Sequence, residues 1–290
     1  MVPEFESYRP YLFSIAYQMV GSVEDAEDVV QDAFLKLFGK DLLEVRNLKA
    51  YLAKVITRLC IDKLALLKKE RSLYPGPWLP EPLPVVDPDT FPDRRLLSIA
   101  FLKLLEVLNP VERAIYMLRR SFDHSYDDIA LILGKSPENC RQIYSRAKRK
   151  LAKQKQYAET YSSETHELLE KLIRYSETGE YEKLQHLFTD QVTLVADAGG
   201  KIRGAARNIL TGKDPVLKFI DGVRKNNDLS ISNYEVVNVN GISMMVAWSQ
   251  QSIAFVISAG STQGHISSLA VLANPSKLRH LQSEILTSGS

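Results

Sequence analysis

The chain has 290 residues, enough for two domains of ordinary size or three small ones. Charged residues make up 25% of it but leave a net charge of only +2, so its overall field does not attract nucleic acid and any basic site must be local. Two cysteines, Cys60 and Cys140, exclude a disulfide framework or a zinc motif, and we expect a cytoplasmic protein without metal or cofactor. The apolar stretch at residues 11–20 is broken by Ser14 and Gln18, which predicts an amphipathic helix rather than a signal or membrane segment.

Residues 8–69 have a helical period, which is clearest at residues 22–38. There Ser22 is the expected N-cap, and Glu24 in the first turn suits the helix dipole. The face predicted to be buried consists of Ala26, Val29, Val30, Ala33, Phe34, Leu37 and Phe38. The opposite face is acidic and carries Asp25, Asp28 and Asp32. After a short loop at residues 39–46, a further helix is predicted at residues 47–67, with Lys49, Lys54 and Arg58 on its exposed face.

A proline-rich segment follows, and it contains a tryptophan. Residues 75–92 hold seven of the 13 prolines, with Trp78 in the middle of the sequence PWLPEPLP. Prolines fix an extended, semi-rigid path, which by itself indicates a spacer, but a spacer needs no tryptophan. We therefore expect Trp78 and Leu79 to form a preorganised docking strip for the C-terminal part of the chain.

The second part of the chain has the signals of a helix-turn-helix. An amphipathic helix is predicted at residues 94–108, and Asn109 and Pro110 begin the next one. Ser125 caps a short helix that ends at Gly134, and Ser136 caps the helix after it. A short helix, a glycine turn and a second helix able to enter a major groove together predict a DNA-reading motif.

That second helix carries a basic block. Residues 141–155 contain seven basic residues and no acidic one, as expected of a surface that contacts phosphates, although a solvated basic helix end is the plainer alternative. The capped two-helix frame in front of the block favours DNA binding. Near the helix start, four side chains could read base edges: Glu138, Asn139, Arg141 and Gln142.

From about residue 160 the pattern changes to one helix followed by several alternating segments, which predicts an α+β domain with a curved sheet of antiparallel strands. Strands are expected at residues 192–195, 234–239, 244–249, 253–258 and 266–272, and one more helix near residues 215–224.

The order of the features in the first 155 residues resembles the extracytoplasmic-function sigma factors of the sigma-70 family. The resemblance is carried by residues 25–38, 51–62 and 145–151. It implies two all-α domains, region 2 and region 4, and two partners, core RNA polymerase and promoter DNA. Tyr51 and Ala65 depart from the tryptophan and arginine usual in the family.

The resemblance also implies a role for each of three sets of residues. Contacts to core polymerase are implied for Asp25, Asp28, Gln31, Asp32 and Phe34. Contacts to the −10 element, with a flipped base in the loop at residues 39–47, are implied for Arg46, Asn47, Lys49, Lys54, Arg58 and Lys63. Contacts to the −35 element are implied for Ser136, Pro137, Glu138, Asn139, Arg141, Gln142, Arg146, Lys148 and Arg149.

The third part resembles the cone-shaped SnoaL-like domain, of the nuclear-transport-factor-two-like fold, that is fused behind region 4 in one subgroup of these sigma factors. Three short motifs carry the resemblance: Trp78, Leu79, Pro80, Glu81 and Pro82; Asp197, Gly199, Gly200 and Lys201; and Asn274, Pro275, Lys277 and Leu278. Ala198 and Ser276 depart from the subgroup's glycine and aspartate. The resemblance implies regulation by the chain's own C-terminal domain rather than by a classical anti-sigma factor. The expected division is residues 1–70, a linker at 71–93, then 94–156 and 157–290.

Two other functions are compatible with parts of the sequence. An isomerase-like or ligand-binding pocket domain would need a catalytic pair, and Asp197 with His265 is the only candidate, but Asp197 beside two glycines is more simply a turn residue. The scattered His166, His186 and His280 do not indicate a metal site. A one-component DNA-binding regulator would use the reading helix without core polymerase. An unknown small ligand in the C-terminal domain is left open.

Overall fold

The computed structural model describes residues 6–38, 45, 47–83, 96, 98–153, 163–202, 205–225, 230–239 and 242–288. The chain divides into two compact units. The first unit comprises Met1–Leu73, Asp87–Leu96 and Leu105–Gln154, and the second comprises Tyr74–Val86, Leu97–Leu104 and Lys155–Ser290. No helix in the described parts of the chain is both long and apolar enough to span a bilayer.

The first half of the first unit is helical, as predicted. Its helices are α1 (Arg9–Val20), α2 (Val23–Leu37) and α3 (Leu48–Arg71). The Ser22 side chain accepts a hydrogen bond from the Asp25 amide, and Asn47 does the same for the Ala50 amide, so both helices begin at a capping residue. Phe38 was predicted to be buried, which is wrong: α2 ends at Leu37, the backbone of Phe38 is extended, and its side chain is 81% exposed.

The second half of this unit contains the predicted helix-turn-helix. Its helices are α5 (Pro110–Arg120), α6 (Tyr126–Leu133) and α7 (Pro137–Ala152). Asn109 and Ser125 each form a complete capping box, with Glu112 and Asp128 respectively. Gly134 ends α6 with φ of 66°, a left-handed conformation that a residue without a β-carbon adopts at little cost.

A cluster of one buried and two partly buried charges joins the two halves of the first unit. The guanidinium of Arg113 is fully buried, donates to the Gln18 carbonyl at 3.0 Å and pairs with Glu106 at 2.7 Å. Arg71 also pairs with Glu106, at 3.1 Å, and donates to the Val20 carbonyl. Glu106 therefore holds cations from α3 and α5 together, and both cations also bind carbonyls of α1. Burial lowers the pKa of both arginines, and the charge of Glu106 opposes that shift.

The second unit contains the predicted sheet. Its helices are α4 (Ile99–Leu104), α8 (Ser163–Thr178), α9 (Tyr181–His186), α10 (Lys213–Lys225) and α11 (Pro275–Ser288). Its strands are β1 (Phe188–Asp197), β2 (Leu210–Thr211), β3 (Asn233–Val239), β4 (Ile242–Ser249), β5 (Ser252–Thr262) and β6 (His265–Leu272). The predicted helix at residues 94–108 is shorter in the described residues, where α4 is followed by a 3₁₀ turn at Leu105–Val107.

The strand order is β2-β1-β6-β5-β4-β3. The prediction of antiparallel strands is wrong at one place, because β1 and β6 pair in parallel, with Asp197 beside Leu272. The chain between β1 and β6 contains β2, α10 and β3 to β5, so the two strands are not joined by a hairpin, which would make them antiparallel. Side chains alternate along β1, so Leu194 and Ala196 belong to the core on one face of the sheet, with Leu169 and Phe255. Val195 belongs to a separate core on the other face.

Candidate nucleic-acid interface and linker anchor

Helix α7 presents the residues implied in −35 recognition to solvent. Its inner face is buried through Cys140, Ile143, Ala147 and Leu151. Ser136, Glu138, Asn139, Arg141, Gln142, Arg146, Lys148 and Arg149 are exposed, and Pro137 is half-buried. The structure therefore brings the whole set to one accessible helix surface, as its sequence spacing predicts.

Local contacts fix part of this surface. The Ser136 hydroxyl accepts from the Asn139 amide at 3.2 Å, which caps α7. The guanidinium of Arg141 lies 5.3 Å from the ring centre of Tyr126 and 3.5 Å from Glu138. Lys150, by contrast, binds both carboxylate oxygens of Glu112 at 2.8 Å, so this member of the basic block has a structural partner. Burial alone would raise the pKa of Glu112, but its bonds with Lys150 and the Asn109 amide outweigh burial and lower it.

We expect the double substitution Arg146→Ala and Arg149→Ala to weaken promoter binding and to make it less dependent on salt. Both side chains are exposed on α7, and each phosphate contact contributes about 0.9 to the slope of log K against log salt concentration. Fluorescence anisotropy with promoter DNA between low and physiological salt measures the slope. The control is Lys171→Ala with Lys183→Ala, which removes the same charge from α8 and α9. An unchanged slope in the α7 variant would mean that these arginines do not touch phosphate.

The residues implied in −10 recognition lie along α3, except Arg46, which is outside the described residues. Asn47 is the N-cap, and its side chain accepts from the Ala50 amide at 3.0 Å. Lys49 and Arg58 are exposed and Lys54 is half-buried. The ammonium of Lys49 lies 4.6 Å from the ring centre of Tyr11, and the Tyr11 hydroxyl is 2.8 Å from Nε2 of His124 in the helix-turn-helix half. The first turn of α3 is thus linked to both halves of the first unit.

Lys63, which is implied in −10 recognition, forms ion pairs with two residues that are implied in polymerase binding. Its ammonium is 2.8 Å from Asp25 and 3.8 Å from Asp28, both on α2. The hydrogen bond with Asp25 is the main reason that its pKa is raised. Lys63 therefore neutralises part of the acidic face of α2 in addition to any contact with DNA.

The acidic face of α2 also includes apolar side chains that sequence reasoning missed. Asp28, Gln31 and Asp32 are exposed, Asp25 is half-buried, and Phe34 is partly buried with Arg9 over its ring. Next to them Leu35 is 65% exposed and Phe38 is 81% exposed. Exposed large apolar residues beside carboxylates are typical of a protein-binding surface. The signal was present in the sequence, since Leu35 falls outside the buried stripe of α2.

In the second unit, the linker segment is held by a buried carboxylate. Asp197 ends β1 and is fully buried. It accepts hydrogen bonds from the Tyr74 hydroxyl at 2.5 Å, the Leu79 amide at 2.8 Å and the Lys277 ammonium at 2.7 Å. We call Tyr74, Leu79, Asp197, Asn274 and Lys277 the linker anchor. Burial and the hydrogen bond with Asp197 both raise the pKa of Tyr74.

Lys277 makes the anchor specific for the tryptophan-containing segment. Its ammonium donates to the Leu79 carbonyl at 2.5 Å and lies 4.1 Å from the ring centre of Trp78. The Trp78 carbonyl accepts from Lys103 at 2.9 Å. The Leu79 side chain is buried with Val246, Leu272 and Leu278 in the core on this face of the sheet. Pro80, Glu81 and Pro82 are buried as well.

The two glycines after Asp197 are required by the close approach of the linker. Both have positive φ, 59° at Gly199 and 71° at Gly200. A β-carbon on Gly199 would lie 2.6 Å from the Asn274 side chain, and one on Gly200 would lie 2.8 Å from the ring of Pro75. The Asn274 amide donates to the Tyr74 hydroxyl at 2.8 Å, Pro275 begins α11, and Lys201 donates to Ser276 at 2.8 Å. The three motifs singled out in the sequence therefore meet at the linker anchor.

Two sequence interpretations need correction. Asp197 does accept from the Gly199 amide, as a turn residue would, but its main role is to bind the linker. It is not paired with His265, which lies exposed at the opposite end of β6 from Leu272, the neighbour of Asp197. Sequence reasoning missed Tyr74, whose only signal was an aromatic residue next to the first proline of the linker.

Known proteins and two family models match this chain. The chain matches the family models "Sigma-70 region 2" at residues 5–71 and "Sigma-70, region 4" at residues 98–151. It is 30% identical to the ECF RNA polymerase sigma factor SigJ of Mycobacterium tuberculosis over 95% of this chain and 92% of that protein. It is 27% identical to the probable ECF RNA polymerase sigma factor SigI of the same species, over 97% and 96% of the two chains.

A solved structure extends the likeness to the fold. The crystal structure of the extracytoplasmic function sigma factor SigJ of Mycobacterium tuberculosis matches with a TM-score of 0.74 and 26% identity, over 97% of this chain and 99% of that one. Nothing in these comparisons favours the one-component regulator. The predicted order of two helical sigma regions and an α+β domain is confirmed, and the chain belongs to the extracytoplasmic-function family of alternative RNA polymerase sigma factors.

Proposed function

We propose that this sigma factor restrains itself through the linker anchor until it meets core polymerase and a promoter. In this proposal α7 reads the −35 element, α3 contacts the −10 element, and the acidic and apolar face of α2 binds the polymerase. Because these partners are cytoplasmic, so is the protein. The linker anchor is the observation that supports the restraint, since a buried carboxylate and a buried ammonium both bind the segment between the two sigma regions.

The first unit is much smaller than the distance between the −10 and −35 elements, which supports the proposal of a restrained and a released state. A compact unit of about 130 residues has a radius of gyration of about 14 Å. The −10 and −35 elements are about 25 base pairs apart, which is about 85 Å at 3.4 Å per base pair. Helices α3 and α7 belong to one compact unit whose halves share the Glu106 cluster, so both elements can be read together only after the halves separate.

The linker must be free to extend for that separation. An extended chain spans at most about 3.6 Å per residue, and Tyr74–Leu83 is held within the second unit by the linker anchor. Release of this segment adds ten residues of free chain between α3 and α5. The restraint lies within the chain itself, so the proposal requires no separate anti-sigma factor.

Run-off transcription with purified core polymerase tests the proposal. We expect Trp78→Ala to raise transcript yield from a cognate promoter about threefold at limiting protein, a shift of about 0.7 kcal/mol toward the released chain. The substitution removes the ring that faces Lys277 and leaves the promoter-contacting helices intact. Limited proteolysis should show faster cleavage between Tyr74 and Leu83 in the same variant.

The matched control is Tyr181→Ala, which removes an aromatic side chain from α9 in the second unit, outside the core that contains Leu79. If Trp78→Ala and the parent gave equal yields and equal cleavage, the linker anchor would have no regulatory role. A lower yield would instead mean that the anchor assists initiation.

A further inference from the structure

The second unit encloses a cavity of about 500 Å³ on the face of the sheet opposite the linker anchor. Helices α8 and α10 and the strands β1, β3, β4, β5 and β6 contribute to its walls. Its floor is hydrocarbon, formed by buried side chains that belong to the core on this face: Leu172, Leu194, Met245, Phe255, Ile257 and Val271. The volume is within the range of cavities that hold small organic molecules, about 300–1,000 Å³.

Charged groups stand only at the rim among the described lining residues. Glu177, Lys218 and Arg224 line the cavity, and all three are exposed to solvent. Tyr234 also lines the cavity and is half-buried, and burial raises its pKa, with a smaller contribution from Glu177. Its hydroxyl has no hydrogen-bond partner within the described residues. A charged group placed on the floor would therefore lose its hydration without compensation, whereas an uncharged oxygen could accept a hydrogen bond from Tyr234.

The cavity and the linker anchor share two short stretches of chain. Ala196 and Ala198 line the cavity, and Asp197 between them points to the other side, where it binds the linker. In the same way Ala273 lines the cavity, and its neighbour Asn274 donates to the Tyr74 hydroxyl. The amides of both Ala273 and Asn274 donate to the Asp197 carbonyl. A shift of either stretch on the cavity side must therefore move an anchor residue on the other.

We propose that the cavity binds an uncharged, mainly hydrocarbon small molecule with one oxygen that accepts a hydrogen bond from Tyr234, and that its occupancy is transmitted to the linker anchor through Ala196–Ala198 and Ala273–Asn274. The binding site is independent of the proposed function, and its regulatory consequence rests on that function.

Binding is tested on the full chain with N-phenylnaphthylamine, an uncharged fluorescent probe, and with decanol as its competitor. We expect saturable probe binding, displacement by decanol, and at least about tenfold weaker displacement by decanoate, a difference of about 1.4 kcal/mol. Gly222→Phe should abolish probe binding, because Gly222 lines the cavity on α10 and an added β-carbon there meets no atom within 4 Å. Asp214→Phe, also on α10 but outside the lining, is the matched control.

The role of Tyr234 is tested separately. Tyr234→Phe should weaken decanol binding about fivefold, the effect of one lost hydrogen bond, and should leave the affinity of the probe unchanged, because the probe has no oxygen.

Transmission is read from Trp78 in a Trp248→Phe background, in which Trp78 is the only tryptophan. Because the Lys277 ammonium lies 4.1 Å from the Trp78 ring centre, movement of the linker anchor changes the emission of that indole. We expect decanol to shift Trp78 emission with the same midpoint as probe displacement, and Gly222→Phe to remove the shift.

Absence of probe binding, or equal effects of Gly222→Phe and Asp214→Phe, would overturn the site. Equal displacement by decanol and decanoate would overturn the uncharged ligand class, and binding without any change in Trp78 emission would overturn the transmission. None of these measurements uses polymerase, so a failure of the proposed self-restraint in run-off transcription is a separate result.

Discussion

Lys277→Met is expected to lower the free energy of unfolding of the second unit by about 3 kcal/mol, because it leaves the fully buried Asp197 carboxylate without its cation. The side chain of Lys277 is itself only 8% exposed. The substitution also removes the hydrogen bond to the Leu79 carbonyl and the contact with Trp78. Both tryptophans lie in the second unit, so urea unfolding followed by tryptophan emission reports on this unit.

A second substitution separates the charge from the packing. Asp197→Asn combined with Lys277→Met should recover most of the loss, because the double variant buries no unpaired charge and keeps an acceptor for the Leu79 amide. Lys201→Met is the control, since Lys201 is exposed and, among the described residues, its side chain binds the Ser276 hydroxyl and no other group. If Lys277→Met cost no more than Lys201→Met, the buried pair would not stabilise the linker anchor.

Glu106→Gln is the second substitution with a large expected effect, again about 3 kcal/mol, but in the first unit. It removes the carboxylate that pairs with Arg113, which is fully buried, and with Arg71. Because Gln keeps the shape of the side chain, the decrease in the free energy of unfolding reports the contribution of the charge. Amide hydrogen exchange of α1 and α5 should become faster by about two orders of magnitude, and exchange in the second unit should stay unchanged.

The control for this prediction is Glu138→Gln. Glu138 is on the exposed face of α7 and pairs with Arg141 at 3.5 Å, and pairs of that kind contribute about 0–1 kcal/mol. Equal exchange rates in Glu106→Gln and in the parent would show that the cluster does not hold the two halves of the first unit together.

The parts of the fold that were predicted from the sequence depend on local signals. Ser22, Asn47, Asn109, Ser125 and Ser136 each cap a helix through a residue three positions later, and such caps can be read from the sequence. The helix-turn-helix was predicted correctly for the same reason, because Gly134 and two capping residues define its geometry through contacts that are local in the sequence. The exposed face of α7 followed directly from helical spacing.

The parts that were missed depend on residues far apart in the sequence. Asp197 looked like a turn residue because its local neighbours are glycines, while its partners Tyr74 and Leu79 are more than 100 positions away. The parallel pairing of β1 with β6 likewise depends on the path of the whole chain between them, which no strand pattern encodes. The resemblance to a known family gave the motifs that meet at the linker anchor, but not the hydrogen bonds that join them.

The polar nature of the Glu106 cluster determines what happens to its surfaces once they part. The contact that joins α1, α3 and α5 there consists of guanidinium groups, one carboxylate and two backbone carbonyls. Water can form hydrogen bonds with each of these groups once they separate. Aliphatic side chains that separated would instead leave an exposed apolar patch that binds other proteins. In the proposed separation of the two halves, the groups of this cluster would therefore become hydrated rather than form an apolar patch.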